Sequence, residues 1–146
     1  MHRLIDKLFR HESISGDGLC PTYLHRWTLL KLPGARVYLH KFVGDDWSKD
    51  PHDHPKDFIS IGLRGRYWET SYDTDKPRDT SWAAPWIRWF PARHTHRIEL
   101  YSDRKPCWTL CIVGWRKREW GFLLHGEQWI PWDRYVHGPG VNRKSC

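Results

Sequence analysis

Pro91-Ala92-Arg93-His94-Thr95-His96-Arg97-Ile98-Glu99-Leu100 settles into a clean alternation over its second half. His96, Ile98 and Leu100 fall on one side, Arg97 and Glu99 on the other, which is the period of a half-buried strand. The apolar companions of His96 point it into the core. His94 shares its parity but precedes the strand proper. Working outward, similar short runs cover residues 23–32, 35–43, 58–63, 66–72, 86–90, 95–101, 107–113, 120–124 and 128–130. Turn chemistry separates them, as at Pro33-Gly34, Gly44-Asp45-Asp46 and Ser102-Asp103. Eight or nine strands at this spacing predict an all-β sandwich or barrel. One short amphipathic helix, about residues 2–12, is expected from Leu4, Ile5, Leu8 and Phe9, and Ser15-Gly16-Asp17-Gly18 ends it.

The chain has 146 residues, of which 39% are apolar, 15% aromatic and 28% charged. That is enough to bury one core and excludes disorder for most of the length. A single domain over 1–136 is expected, with the barrel between about 23 and 131 and a loose tail from 137 to 146. The longest apolar runs, such as Cys111-Ile112-Val113, are too short to cross a bilayer, and charges interrupt the first residues where a leader core would lie. A cytoplasmic protein with no membrane partner is expected. The net charge is +7, but the basic residues are scattered and only Arg116-Lys117-Arg118 is dense, which argues against a nucleic-acid footprint. Cys107 and Cys111 stand roughly 13 Å apart along a strand, too far to bridge. Reduced thiols are the expectation for all four cysteines.

Ten histidines are an excess, and His52 and His54 are arranged to do chemistry. In an extended segment residues two apart share a face, about 6.6 Å from Cα to Cα, so two imidazoles can converge on one ion. The order His52-Asp53-His54-Pro55, a strand ending at Gly65, a further strand, then Pro91 and His96 resembles the two motifs of the cupin superfamily. The resemblance covers about residues 36–115. It implies a small antiparallel jelly-roll barrel in which His52, His54 and His96 hold a divalent metal. Fe(II) is favoured, with Zn, Ni or Mn as alternatives. Most metal-binding members carry a glutamate four residues after the second histidine, where this chain has Phe58, and Arg93 replaces the usual glycine of the second motif. A three-histidine site, as in the thiol and diketone dioxygenase branches, is therefore expected first. Asp57 or His94 is the candidate for a further ligand or a supporting residue.

The resemblance implies a non-haem Fe(II) oxygenase acting on a small molecule. The alternatives are a sugar isomerase or epimerase, with His40 or a tyrosine moving the proton, and a non-catalytic module that captures a small ligand. His40, in Val37-Tyr38-Leu39-His40, is the candidate acid or base in the barrel. Arg64, Arg66 and Arg88 are candidates for holding an anionic substrate group. The expected partner is a small-molecule substrate, with a homodimer left open. The eleven tryptophans serve core and rim packing, or an aromatic wall for a ligand. The tryptophan-rich stretch 119–132 lies outside the resemblance.

Overall fold

The structure is a computed structural model and describes residues 2–16, 18 and 20–138. In chain order the elements are α1 (His2–Leu8), β1 (Arg10–Ile14), β2 (Leu24–Leu32), β3 (Ala35–Phe42), β4 (Phe58–Arg64) and β5 (Arg66–Ser71). They continue with β6 (Arg78–Ala83), β7 (Trp86–Phe90), β8 (His96–Leu100), β9 (Cys107–Val113), β10 (Gly121–Leu124), β11 (Gln128–Pro131) and α2 (Trp132–His137). One sheet runs β1-β2-β3-β9-β4-β7, a second runs β6-β5-β8, and β10-β11 form a hairpin. Every pairing is antiparallel. Together the sheets make an antiparallel jelly roll preceded by a short helix.

The core lies where the two larger sheets face each other. Leu24, Phe42 and Cys107 from the first meet Tyr67, Ile98 and Leu100 from the second, with Trp86 of β7 between them. Alternation does the work here: in β8 every second residue is buried, and His96, Ile98 and Leu100 are the inward set, as expected. Gly62 faces Trp86 across the β4–β7 pair, and a Cβ there would lie 2.3 Å from the indole. Gly65 carries the chain from β4 to β5 at φ +89°, a conformation that glycine alone adopts without strain.

Four expectations are corrected. The opening helix stops at Leu8 rather than near residue 12, because Arg10–Ile14 pairs with β2 from Thr28 to Leu24 and satisfies its backbone there. β6 has no apolar alternation and exists because Arg78 to Ala83 pairs with β5 as an edge strand. His137, placed in the tail by sequence, ends α2; residues 139–146 lie outside the described ones. Cys20 is disulfide-bonded, so the reduced-thiol reading fails there and no longer supports a cytosolic placement. Cys107 and Cys111 are free and buried, and burial pushes the Cys107 thiol up to about 12. Among the described residues, no helix is long and apolar enough to cross a membrane.

Candidate metal centre

The segment between β3 and β4 has little regular structure of its own, yet it carries His52 and His54. Backbone bonds fix it against the second motif. His52 and His96 exchange N–H···O bonds of 2.9 Å in both directions, and the His54 N–H donates to the Ala92 carbonyl at 2.9 Å. His52 also bridges to Phe122 of β10, so it sits between β8 and β10. Proline on each side, at 51 and 55, favours the extended backbone that puts both imidazoles on one side.

The three rings converge. Their centroids lie 5.1 Å (His52–His54), 5.2 Å (His52–His96) and 4.9 Å (His54–His96) apart. One nitrogen from each falls within 4.8 Å of the other two. The donor set fits a divalent ion on a specific observation: His54 Nδ1 is buried and, among the described residues, has no hydrogen-bond partner. An acceptor nitrogen left bare in the interior is costly unless something coordinates it. Burial holds His52 and His54 in the neutral form that coordination needs. It pulls His52 down to about 4, with Asp46 opposing and His96 and His94 adding to the fall, and it pulls His54 well below the usual imidazole range.

Behind His96 stands Glu69 of β5, only 1% exposed. His96 Nδ1 donates to its Oε1 at 2.6 Å, which leaves His96 Nε2 as the free lone pair. His94 Nε2 donates to the same oxygen at 2.7 Å, Trp82 Nε1 donates to Oε2 at 2.8 Å, and Arg88 pairs with Oε2. Burial alone would raise the Glu69 carboxyl. The bonds from His94 and His96, then the charge of Arg88, outweigh it and hold the group well below the carboxylate range. Glu69, His94 and His96 also form a compact cluster with metal-ligand geometry. Their donor atoms are already bonded to one another, so the cluster reads as the support of His96.

A cavity of about 430 Å³ opens beside the histidines, lined by His52, His54 and His96 together with Phe58, Phe90, Tyr38, His40, Arg26 and Trp120 among others. His40 is on its wall, but both ring nitrogens are engaged: Nε2 accepts from Arg26 Nε at 3.1 Å and Nδ1 lies 3.4 Å from Cys111 Sγ. Burial, reinforced by Arg26, pushes its pKa well below the usual value. His94 turns its second nitrogen to the exposed Asp73 and belongs to the Glu69 network. Asp57 accepts the Ala92 N–H at 2.8 Å and pairs with Lys117, and it joins neither histidine cluster. Phe58 stacks on Phe90 and stands edge-on to His54, filling the place the resemblance would give to a carboxylate.

Of the three candidate arginines, none lines the cavity. Arg88 is bound to Glu69 and lies over the Trp82 and Phe90 rings, Arg66 pairs with Asp103 over Tyr101, and Arg64 is exposed at the end of β4. Sequence reasoning missed Glu69 and Arg26. Both occupy inward positions of amphipathic strands, and a charged residue at such a parity was the available signal.

The stretch 119–132 clamps the histidine segment. Asp53, buried between His52 and His54, accepts from Gly121 N–H at 2.7 Å, Arg118 at 2.5 Å and Trp129 Nε1 at 3.0 Å. Asp50 accepts from Tyr135 O–H at 2.9 Å and from the His125 amide at 3.0 Å. Tyr135 stacks on Phe122, whose ring lies against His52.

No family model matches this sequence and no curated protein matches it. Solved structures do. A cupin-2 domain, Rru_A2000 from Rhodospirillum rubrum, superposes with a TM-score of 0.58 at 14% identity, over 75% of this chain and 72% of that one. A double-stranded β-helix protein from Klebsiella pneumoniae gives 0.55 at 14% identity, over 81% and 92%. Fe(II) HppE gives 0.56 at 9% identity over 71% of this chain, which spans 56% of that protein's length. Likeness at such identities is likeness of fold, and the fold of this chain is the cupin double-stranded β-helix.

Proposed function

We propose that this chain is a metal-dependent enzyme of the oxygenase class, with a divalent ion held by His52, His54 and His96 and a small molecule bound in the adjoining cavity. The observation that carries the reading is the convergence of three imidazoles, together with a buried, unpartnered nitrogen on one of them, His54 Nδ1. Fe(II) suits a site of three neutral imidazoles that leaves coordination positions open, with Zn, Ni or Mn as alternatives. When bound, such an ion supplies Lewis-acid and redox chemistry at the cavity wall. The chain's own contribution is to keep His52 and His54 neutral by burial, to set the His96 ring through Glu69, and to exclude water with Phe58, Phe90 and Trp120. An isomerase in which His40 moves the proton has less support, because Arg26 and Cys111 occupy both of its nitrogens.

The test is anaerobic reconstitution with Fe(II) followed by elemental analysis and oxygen-electrode measurements on a panel of small organic acids and thiols. One ion per chain, lost in His54→Ala, together with substrate-dependent oxygen uptake, is the expected result. A protein that takes up no metal with all three histidines intact overturns the reading. A metal-bound protein that binds ligands without turnover reduces it to a binding module.

A further inference from the structure

Arg26 lies on an inward position of β2 and lines the same cavity as the three histidines. Its Nε is committed to His40, and its guanidinium rests over the Tyr38 ring, 5.0 Å from the centroid. Among the described residues no carboxylate lies within ion-pair distance, and the two terminal nitrogens have no hydrogen-bond partner. Lys56, the other cation on the cavity wall, has no ion pair among the described residues either. The two carboxylates that line the cavity are both occupied. Asp53 is bound to Arg118, Gly121 and Trp129, and Asp46 accepts the Ile98 amide at 2.8 Å and faces His52. Arg26 and Lys56 thus stand on the cavity wall without ion pairs, against one lining carboxylate, Asp46, that no Arg or Lys pairs among the described residues. A half-buried guanidinium with its fork free matches a planar oxyanion.

Strand register locates this cation relative to the histidines. Tyr38, Cys111 and Ser60 form one inward row, and Phe58, Val113 and Phe90 form the next. Tyr38 and Phe58 are therefore two strands and one inward step apart, roughly 12 Å between Cα atoms. The guanidinium leans over Tyr38, and the His54 ring stands 4.8 Å from Phe58. With both sets of side chains projecting inward, the gap suits a molecule of several heavy atoms. Cys111, Ser60 and Val113 lie between them, with Tyr38 at one end and Phe58 and Phe90 at the other.

We propose that Arg26 is the anion-recognition residue of the cavity, and that the molecule admitted is a small organic acid whose carboxylate pairs with the Arg26 fork while its apolar body lies along the cavity wall toward His52, His54 and His96. The orientation rests on the reading of the histidines as a metal centre; the anion site itself does not. Benzoate and 3-phenylpropionate are the probes, with the matched neutral amides as controls. Their binding is measured by calorimetry to Zn-loaded and to chelator-treated full-length protein.

Wild type is expected to bind each acid at least about ten-fold tighter than its amide. In Arg26→Gln the acid should lose about ten-fold or more while the amide is unchanged and the zinc content stays at the wild-type level. Arg26→Lys, which keeps the charge without the fork, should fall between, and serves as the test if Arg26→Gln does not fold. The proposal is overturned by equal binding of acid and amide to wild type, by no binding of either acid at millimolar concentration, or by an unchanged acid affinity in a folded Arg26 variant. If the acid binds only the zinc form and Arg26→Gln leaves it intact, the ion holds the anion, so the Arg26 assignment fails while the metal reading stands. If no metal is taken up but acid over amide still depends on Arg26, the metal reading fails and the anion site stands.

Discussion

Replacing Glu69 by glutamine tests whether the buried network behind His96 supports the metal centre. The side chain keeps its shape, but it offers one acceptor oxygen where the carboxylate offers two. His94 and His96 converge on Oε1, and Trp82 and Arg88 converge on Oε2. Whichever way the amide turns, its NH2 group faces two donors. Each donor left without an acceptor in the interior costs about 1–3 kcal/mol. Arg88, only 23% exposed, also loses its counter-charge. Removing one partner of such a buried pair costs about 3–5 kcal/mol, and that is the loss of stability expected in the metal-free protein. Metal affinity should fall as well, because the His96 ring loses its charged anchor; changes to such partners weaken binding about 10–100-fold. Urea unfolding of the chelator-treated proteins gives the first number, provided the slopes match. Competition for zinc against a chromophoric chelator gives the second. A folded Glu69→Gln protein that holds zinc as tightly as wild type would refute the orienting role of Glu69, whatever its stability.

Three further outcomes are expected. Alanine at His52, His54 or His96 should each abolish stoichiometric metal binding by elemental analysis, whereas Asp57→Asn should leave it unchanged, since Asp57 is spent on Lys117 and the Ala92 amide. Asp53→Ala strips the acceptor from Gly121, Arg118 and Trp129; it should destabilise the fold by about 2–4 kcal/mol and speed amide exchange across residues 44–57 in mass-spectrometric measurements. His40 has a folded pKa well below 6.5, so the unfolded chain takes up a proton below that pH while the folded one does not. Its contribution is therefore complete above about pH 6.5 and shrinks as pH falls, by about 1.4 kcal/mol per unit, and His40→Gln should flatten the urea midpoint profile there by one proton.

What the sequence determined about this protein is local. The alternation of His96, Ile98 and Leu100 turns His96 inward because strand parity is a property of the backbone alone. The spacing of His52 and His54 between two prolines pairs their rings, and Gly65 marks a turn because only glycine sits easily at its φ. The limits of β2–β5 and β7–β9 follow from the same period and from turn residues, and so does an all-β sandwich or barrel; the jelly roll is implied only by the resemblance of the histidine motifs. The helix end was misplaced, and β6 missed, because each edge strand is held by hydrogen bonds to a neighbour rather than by any pattern of its own.

Tertiary structure decided which charged side chains matter. Asp57 and Arg88 are plausible site residues on a sequence, yet Lys117 claims one and Glu69 the other, both from distant parts of the chain. Arg26, by contrast, is one basic residue among 24 until the register of β2 and β3 sets it beside His40 and the β-sheets close a cavity over it. Glu69 is likewise an ordinary carboxylate until β6, β7, the segment before β8 and β8 itself bring Trp82, Arg88, His94 and His96 to its two oxygens. Ion pairs and hydrogen bonds act over a few ångströms, and only the packed chain sets which groups come that close.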